Sequence, residues 1–158
     1  MRAIQAILVA VVAAITVTSV AAAGPEAANQ RVVITSQASR TTQVSPFTFT
    51  PLQAGALKVD SGKQIAESSS GRTVMREGQS LEIYDSVSTY KGKLGSLVIR
   101  HRTEYVYGGN GYHVGTGTWK VVRGTGQYAH ITGGGRSGTA WLDRGPWSFR
   151  DEGVLALP

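Results

Sequence analysis

Two side chains of this sequence are of the right type and register to move a proton. His101 lies in the alternating run from Leu97 to Tyr105, where Leu97, Ile99, His101, Thr103 and Tyr105 share one face. Val98, Arg100, Arg102 and Glu104 take the other, the expected solvent side. Asp85 is expected in the matching inward register of the preceding run, with Leu81, Ile83 and Val87. A carboxylate beside an imidazole in an apolar interior is one arrangement for general acid–base work, because each group alters the other's proton affinity. The same pair reads also as a buried polar contact that only satisfies itself. The pattern therefore nominates Asp85 and His101 as catalytic candidates with both readings open. His113 and His130 border glycine turns and are expected at the surface. No histidine spacing suggests a shared metal, and no cysteine is available as a ligand, so no metal site is expected.

A second set of residues has binding chemistry. Ile99, Trp119, Val121 and Trp147 fall on inward faces and are candidates to line a ligand pocket. Trp141, Phe149 and Tyr128 either join them or fill a core, which is the default use of large side chains in a small domain. Gly124-Thr-Gly-Gln-Tyr-Ala129 matches the dinucleotide pattern G-x-G-x-x-G/A and follows a strand. That motif needs a helix N-terminus to receive the pyrophosphate, and His130-Ile-Thr-Gly-Gly-Gly135 cannot start one. No nucleotide or other cofactor is expected.

The elements that must position these residues are short strands. Arg31–Ser36, Phe47–Pro51 and Leu57–Asp60 read as the first three, and Ser68–Gly71 as a turn cluster. Arg72–Glu77 pairs naturally with Ser80–Tyr90 across Glu77-Gly78. Lys93–Val106 and Tyr112–Arg123 flank the turn Tyr107–Gly111 as a further hairpin. Ser137–Leu142 and Trp147–Val154 flank Asp143–Pro146, a turn sequence. Between these hairpins, Trp119–Val122 breaks at Gly124–Gly126, resumes through Tyr128–Ile131 and breaks again at Gly133–Gly135. Of 20 glycines, 11 lie between Gly108 and Gly138, which suits bulges and corners in a tightly curved sheet. No window after the first 23 residues has helical apolar spacing. The expectation is all-β: a single antiparallel barrel of roughly eight strands, following an N-terminal signal peptide.

The ends and the composition bound the setting. Met1-Arg2, the uncharged run Ala3–Val20 and the small residues Ala21–Ala23 read as a secretory signal; the competing reading is a retained anchor. The expected division is a signal at 1–23, a flexible leader at 24–30 and the barrel domain at 31–158, secreted and free of the membrane once cleaved. Without cysteine, an exported domain has no disulfide framework and must rely on packing and sheet closure. The net charge of +6 comes from basic residues scattered singly or in pairs, which argues against nucleic acid and allows attraction to an anionic cell-envelope polymer. Oligomeric state is not legible.

Gly117-Thr-Trp-Lys-Val-Val-Arg-Gly-Thr-Gly-Gln-Tyr-Ala-His-Ile-Thr-Gly-Gly-Gly135 resembles the strand-turn-strand signature of allene oxide cyclase-like barrel proteins. That group includes small actinobacterial secreted proteins, and the dirigent proteins share the barrel. Tyr90–Leu97 and Trp147–Val154 are also similar to it, so the resemblance covers about Gly78 to Leu155. It implies an eight-stranded antiparallel barrel whose lumen can hold an apolar molecule. Relatives cyclise or steer reactive intermediates there by confinement. The matching positions are glycines and strand aromatics, so no functional residue carries over. Three expectations follow: a binding protein for a small apolar ligand, a cyclase or isomerase, or an envelope-associated structural protein.

Overall fold

A computed structural model describes residues 28–39, 44–108 and 111–158. The expected signal peptide at 1–23 lies outside the described residues. Eight strands follow in chain order: β1 (Asn29–Ala38), β2 (Val44–Pro51), β3 (Asp60–Arg76), β4 (Gln79–Gly92), β5 (Ser96–Tyr107), β6 (Tyr112–Gly124), β7 (Thr132–Leu142) and β8 (Trp147–Ala156). Each pairs antiparallel with the next, and β8 returns to β1 from Asn29↔Ala156 to Ala38↔Trp147, closing the ring. The all-β antiparallel class expected from the turn spacing is the class observed. Among the described residues no helix is long and apolar enough to cross a membrane.

Local chemistry explains the joints. Glu77 (φ 52°) and Gly78 (φ 79°) are both left-handed, the two-residue turn whose twist matches the flanking strands, and Arg76 pairs with Gln79 across it. Gly145 N–H donates to Leu142 O at 3.0 Å in the β7–β8 turn.

Besides strand ends that move by a few residues, four assignments differ from the sequence reading. Ser68–Gly71 is not a turn but lies inside β3, just past a register shift between Ala66 and Ser68. The serines tolerate either state; pairing with β4 decides it. Leu57–Asp60 is strand only from Asp60 onward. Leu57 is instead held through its backbone, its N–H donating to Gln30 Oε1 at 3.0 Å and its carbonyl accepting from Gln30 Nε2 at 3.3 Å. Asn29 and Gln30, assigned to the leader, belong to β1. Tyr128–Ile131 is not a strand: Gly126–Tyr128 is a single 3₁₀ turn, and Gly133–Gly135 are paired within β7.

The interior divides along the barrel axis. One half is solid, built on Val32 and Ile34 of β1, Phe47 and Phe49 of β2, Leu97 and Ile99 of β5, and Leu155 of β8. Phe47 meets Tyr90 edge-on at 5.2 Å and Phe49 meets Tyr128 at 5.1 Å, geometry that adds to burial. Trp119 fills the centre, its Nε1 donating to Arg136 O at 3.1 Å. A Cβ on Gly153 would strike Trp119 Cζ2 at 2.7 Å and the Gly134 carbonyl, so this glycine makes the space that the indole occupies. Asp60 closes that end: Tyr128 Oη, the Lys93 N–H and the Leu94 N–H donate to its carboxylate at 3.1, 2.9 and 3.2 Å.

Candidate functional site

The other half of the barrel is hollow. A cavity of about 280 Å³ opens above the solid core, near the lower end of the ~300–1,000 Å³ typical of small-molecule sites. An eight-stranded ring is just wide enough for such a space.

Strand alternation supplies its walls. From β4 come Tyr84, Ser86, Ser88 and Tyr90; from β5 come His101, Thr103, Tyr105 and Tyr107. Trp141 of β7 and Trp147 and Phe149 of β8 complete an aromatic wall, and β3 adds Gln64 and its serines. Ring contacts run unbroken along it. Tyr84 meets Tyr105 edge-on at 5.3 Å, Tyr105 meets Trp141 at 5.3 Å, and Trp141 stacks on Trp147 at 4.6 Å with Phe149 beyond at 6.2 Å.

The floor is polar and centred on Asp151, which is 2% exposed. His101 Nε2 lies 2.9 Å from Asp151 Oδ2, and the carboxylate, which can only accept, places the proton on Nε2. Tyr90 Oη donates to the same oxygen at 3.3 Å, and Ser137 Oγ donates to Oδ1. The carboxylate therefore holds three donors and leaves Nδ1 as the basic atom of the ring.

The mouth repeats the motif with a different acid. Tyr84 and Tyr107 both donate to Glu82 Oε2, at 3.1 and 2.6 Å. The phenols of the cavity are held protonated. Burial pushes Tyr105 up to about 12, and burial together with the Asp151 carboxylate raises Tyr90 well above the ordinary value. Tyr107 is raised by burial and then by its bond to Glu82; Tyr84 is raised first by that bond and then by burial. At neutral pH each is a donor.

The residues proposed from the sequence separate. His101 is inside the lumen, but Asp85 is not its partner. Asp85 pairs across to Arg102, whereas Ser86 is opposite His101. Leu81, Ile83 and Val87 alternate with the β4 residues that line the cavity and so share the face of Asp85, turned away from the lumen, although Leu81 and Ile83 are buried there. Trp147 lines the site. Ile99, Trp119 and Val121 do not; Ile99 and Trp119 lie in the solid half, with Val121 packed against it. Trp141 and Phe149 join Trp147, while Tyr128 is core.

His113 is not at the surface. It is 8% exposed, set 5.0 Å from both Tyr107 and Trp141, with Nε2 2.6 Å from Asp143 Oδ1. His130, at φ 61°, is exposed. Asp151 was missed although its signal was present, since it continues the period-two series Trp147, Phe149 on β8. Among the described residues no group of three or more His, Asp or Glu side chains is placed to hold a metal ion.

No family model, curated protein or solved structure matches this chain.

Proposed function

We propose that this chain is a binding protein that holds one small, compact, largely apolar molecule in its barrel, ring-bearing and with a polar end reaching the floor. The cavity between the Tyr84–Tyr105–Trp141–Trp147 wall and the Asp151–His101 floor carries this reading. Aromatic walls supply apolar contact at fixed geometry, and a few convergent polar groups orient the guest. Delivery outside the cell by Met1–Ala23, and kinship with allene oxide cyclase-like barrels, belong to the same proposal and rest on the sequence. The direct test is titration with 1-naphthol, read through tryptophan emission, together with native mass spectrometry of the protein as purified. Saturable one-to-one quenching is expected. No response up to millimolar probe sinks the reading.

The Asp151–His101 pair favours a second reading, an isomerase on the same floor. With Nε2–H held by the carboxylate, Nδ1 accepts a proton from an acidic C–H and returns it to another atom, and Asp151 stabilises the imidazolium between the two steps. No co-reactant is needed. Deuterium uptake from solvent into the α-carbons of phenylacetone tests it: exchange faster than buffer and lost in His101→Gln supports catalysis, and exchange at the buffer rate removes it.

A further inference from the structure

The charge of the guest can be read from what the cavity lacks. The chain is basic overall, with 16 Lys and Arg against 10 Asp and Glu. Yet among the described residues no lysine or arginine lines the lumen, and His101 is the sole described lining residue able to carry positive charge. Two carboxylates instead bracket the space, each linked to it by side chains that line it. Asp151 lies under the floor, bonded to His101 and Tyr90, and Glu82 sits at the mouth, bonded to Tyr84 and Tyr107.

From this placement we infer that the lumen takes a small organic cation, an ammonium group carried on an apolar body, in preference to a neutral or anionic molecule of the same shape. The inference rests on the binding reading above and specifies its ligand class. Three features act together. Faces of tyrosine and tryptophan rings attract cations through their quadrupoles, most strongly where water is excluded. A phenol that donates to a carboxylate gains electron density in its ring, which strengthens that attraction at Tyr84, Tyr107 and Tyr90. Negative charge at both ends of a low-dielectric space then favours a cation and repels an anion over several ångströms. The exposed arginines do not compensate. Arg100 and Arg102 point outward on β5, where solvent and salt screen them.

The test uses three probes of nearly equal size: phenethylammonium, 2-phenylethanol and phenylacetate, titrated calorimetrically at pH 8, where the amine is cationic. The cation is expected to bind about tenfold more tightly than the alcohol, the scale of a desolvated cation–π contact. The carboxylate is expected to bind more weakly than either. Asp151→Asn should bring the cation-to-alcohol ratio toward one. Should that buried change prevent folding, Glu82→Gln at the mouth reads the same ratio. Equal affinities, or a preference for phenylacetate, overturn the cation inference and leave the binding reading intact. Absence of binding by all three overturns both.

Discussion

His101 and Asp151 touch at 2.9 Å although they stand on β5 and β8, strands that are not neighbours in the ring. The contact therefore runs across the lumen and forms the partition between its packed half and its open half. Removing the acid alone leaves the donors of His101, Tyr90 and Ser137 buried beside a void. Asp151→Ala is expected to cost about 3 kcal/mol, measured as a fall in the urea midpoint at constant slope. Asp151→Asn keeps the shape and one acceptor and should cost less.

Ser86 and Asp85 are adjacent in sequence and opposite in role. Ser86→Phe fills the lumen and should abolish 1-naphthol quenching while the far-ultraviolet spectrum stays that of a β-protein. Asp85→Ala changes only the outer wall beside Arg102 and should leave the probe affinity within about twofold. Equal effects of the two substitutions contradict the assignment of faces on β4.

The phenols predict an alkaline limit. A group whose folded pKa lies above its unfolded value gives stability that is complete below the unfolded value and fades as pH climbs to the folded one. Tyrosine ionises near 10 in the unfolded chain, and Tyr105 is pushed up to about 12 in the folded one. Stability should thus be independent of these groups below about pH 9 and then decline between about 10 and 12. The buried Tyr90 and the largely buried Tyr105 each contribute a slope of up to ~1.4 kcal/mol per pH unit, while the more exposed Tyr84 and Tyr107 contribute less. Absorbance at 295 nm during alkaline titration checks this: most phenolate should appear together with unfolding rather than before it.

Gly153→Ala should destabilise the barrel by about 1–3 kcal/mol through overpacking, since the added methyl meets Trp119 and the Gly134 carbonyl. Pairing it with Trp119→Leu makes room and should recover part of that loss. A double variant no more stable than the sum of the two single changes contradicts the fit between this glycine and the indole.

How much of this is legible in the sequence depends on the strand. On β5, inward Leu97, Ile99, His101, Thr103 and Tyr105 alternate with outward Arg100, Arg102 and Glu104 as read, except that Val98, expected on the solvent side, is buried beside a register shift. On β4 the same rule fails. Leu81, Ile83 and Val87 point away from the lumen, Leu81 and Ile83 buried all the same, while Tyr84, Ser86 and Ser88 face a space that wants hydroxyls and rings more than aliphatic filling. Apolar alternation identifies an inner face only where the interior is packed. Asp151 and Asp60 show the complementary difficulty, because His101 and Tyr90 for the one, and Lys93, Leu94 and Tyr128 for the other, lie from 33 to 68 residues away, and pairing at that range leaves no local spacing to read.

The ring has a consequence for how the protein is made. β8 is the last of the eight strands to leave the ribosome, and it brings Trp147, Phe149 and Asp151 with it. Until it slots between β7 and β1, seven strands have unpaired backbone on β1 and β7, and the imidazole of His101 lacks its acid. Assembly of the floor and closure of the barrel are therefore one event, governed by contacts distant in sequence and slow to find. A nascent chain stalled before Trp147 has most of the walls but no site, and two exposed edges prone to join other chains.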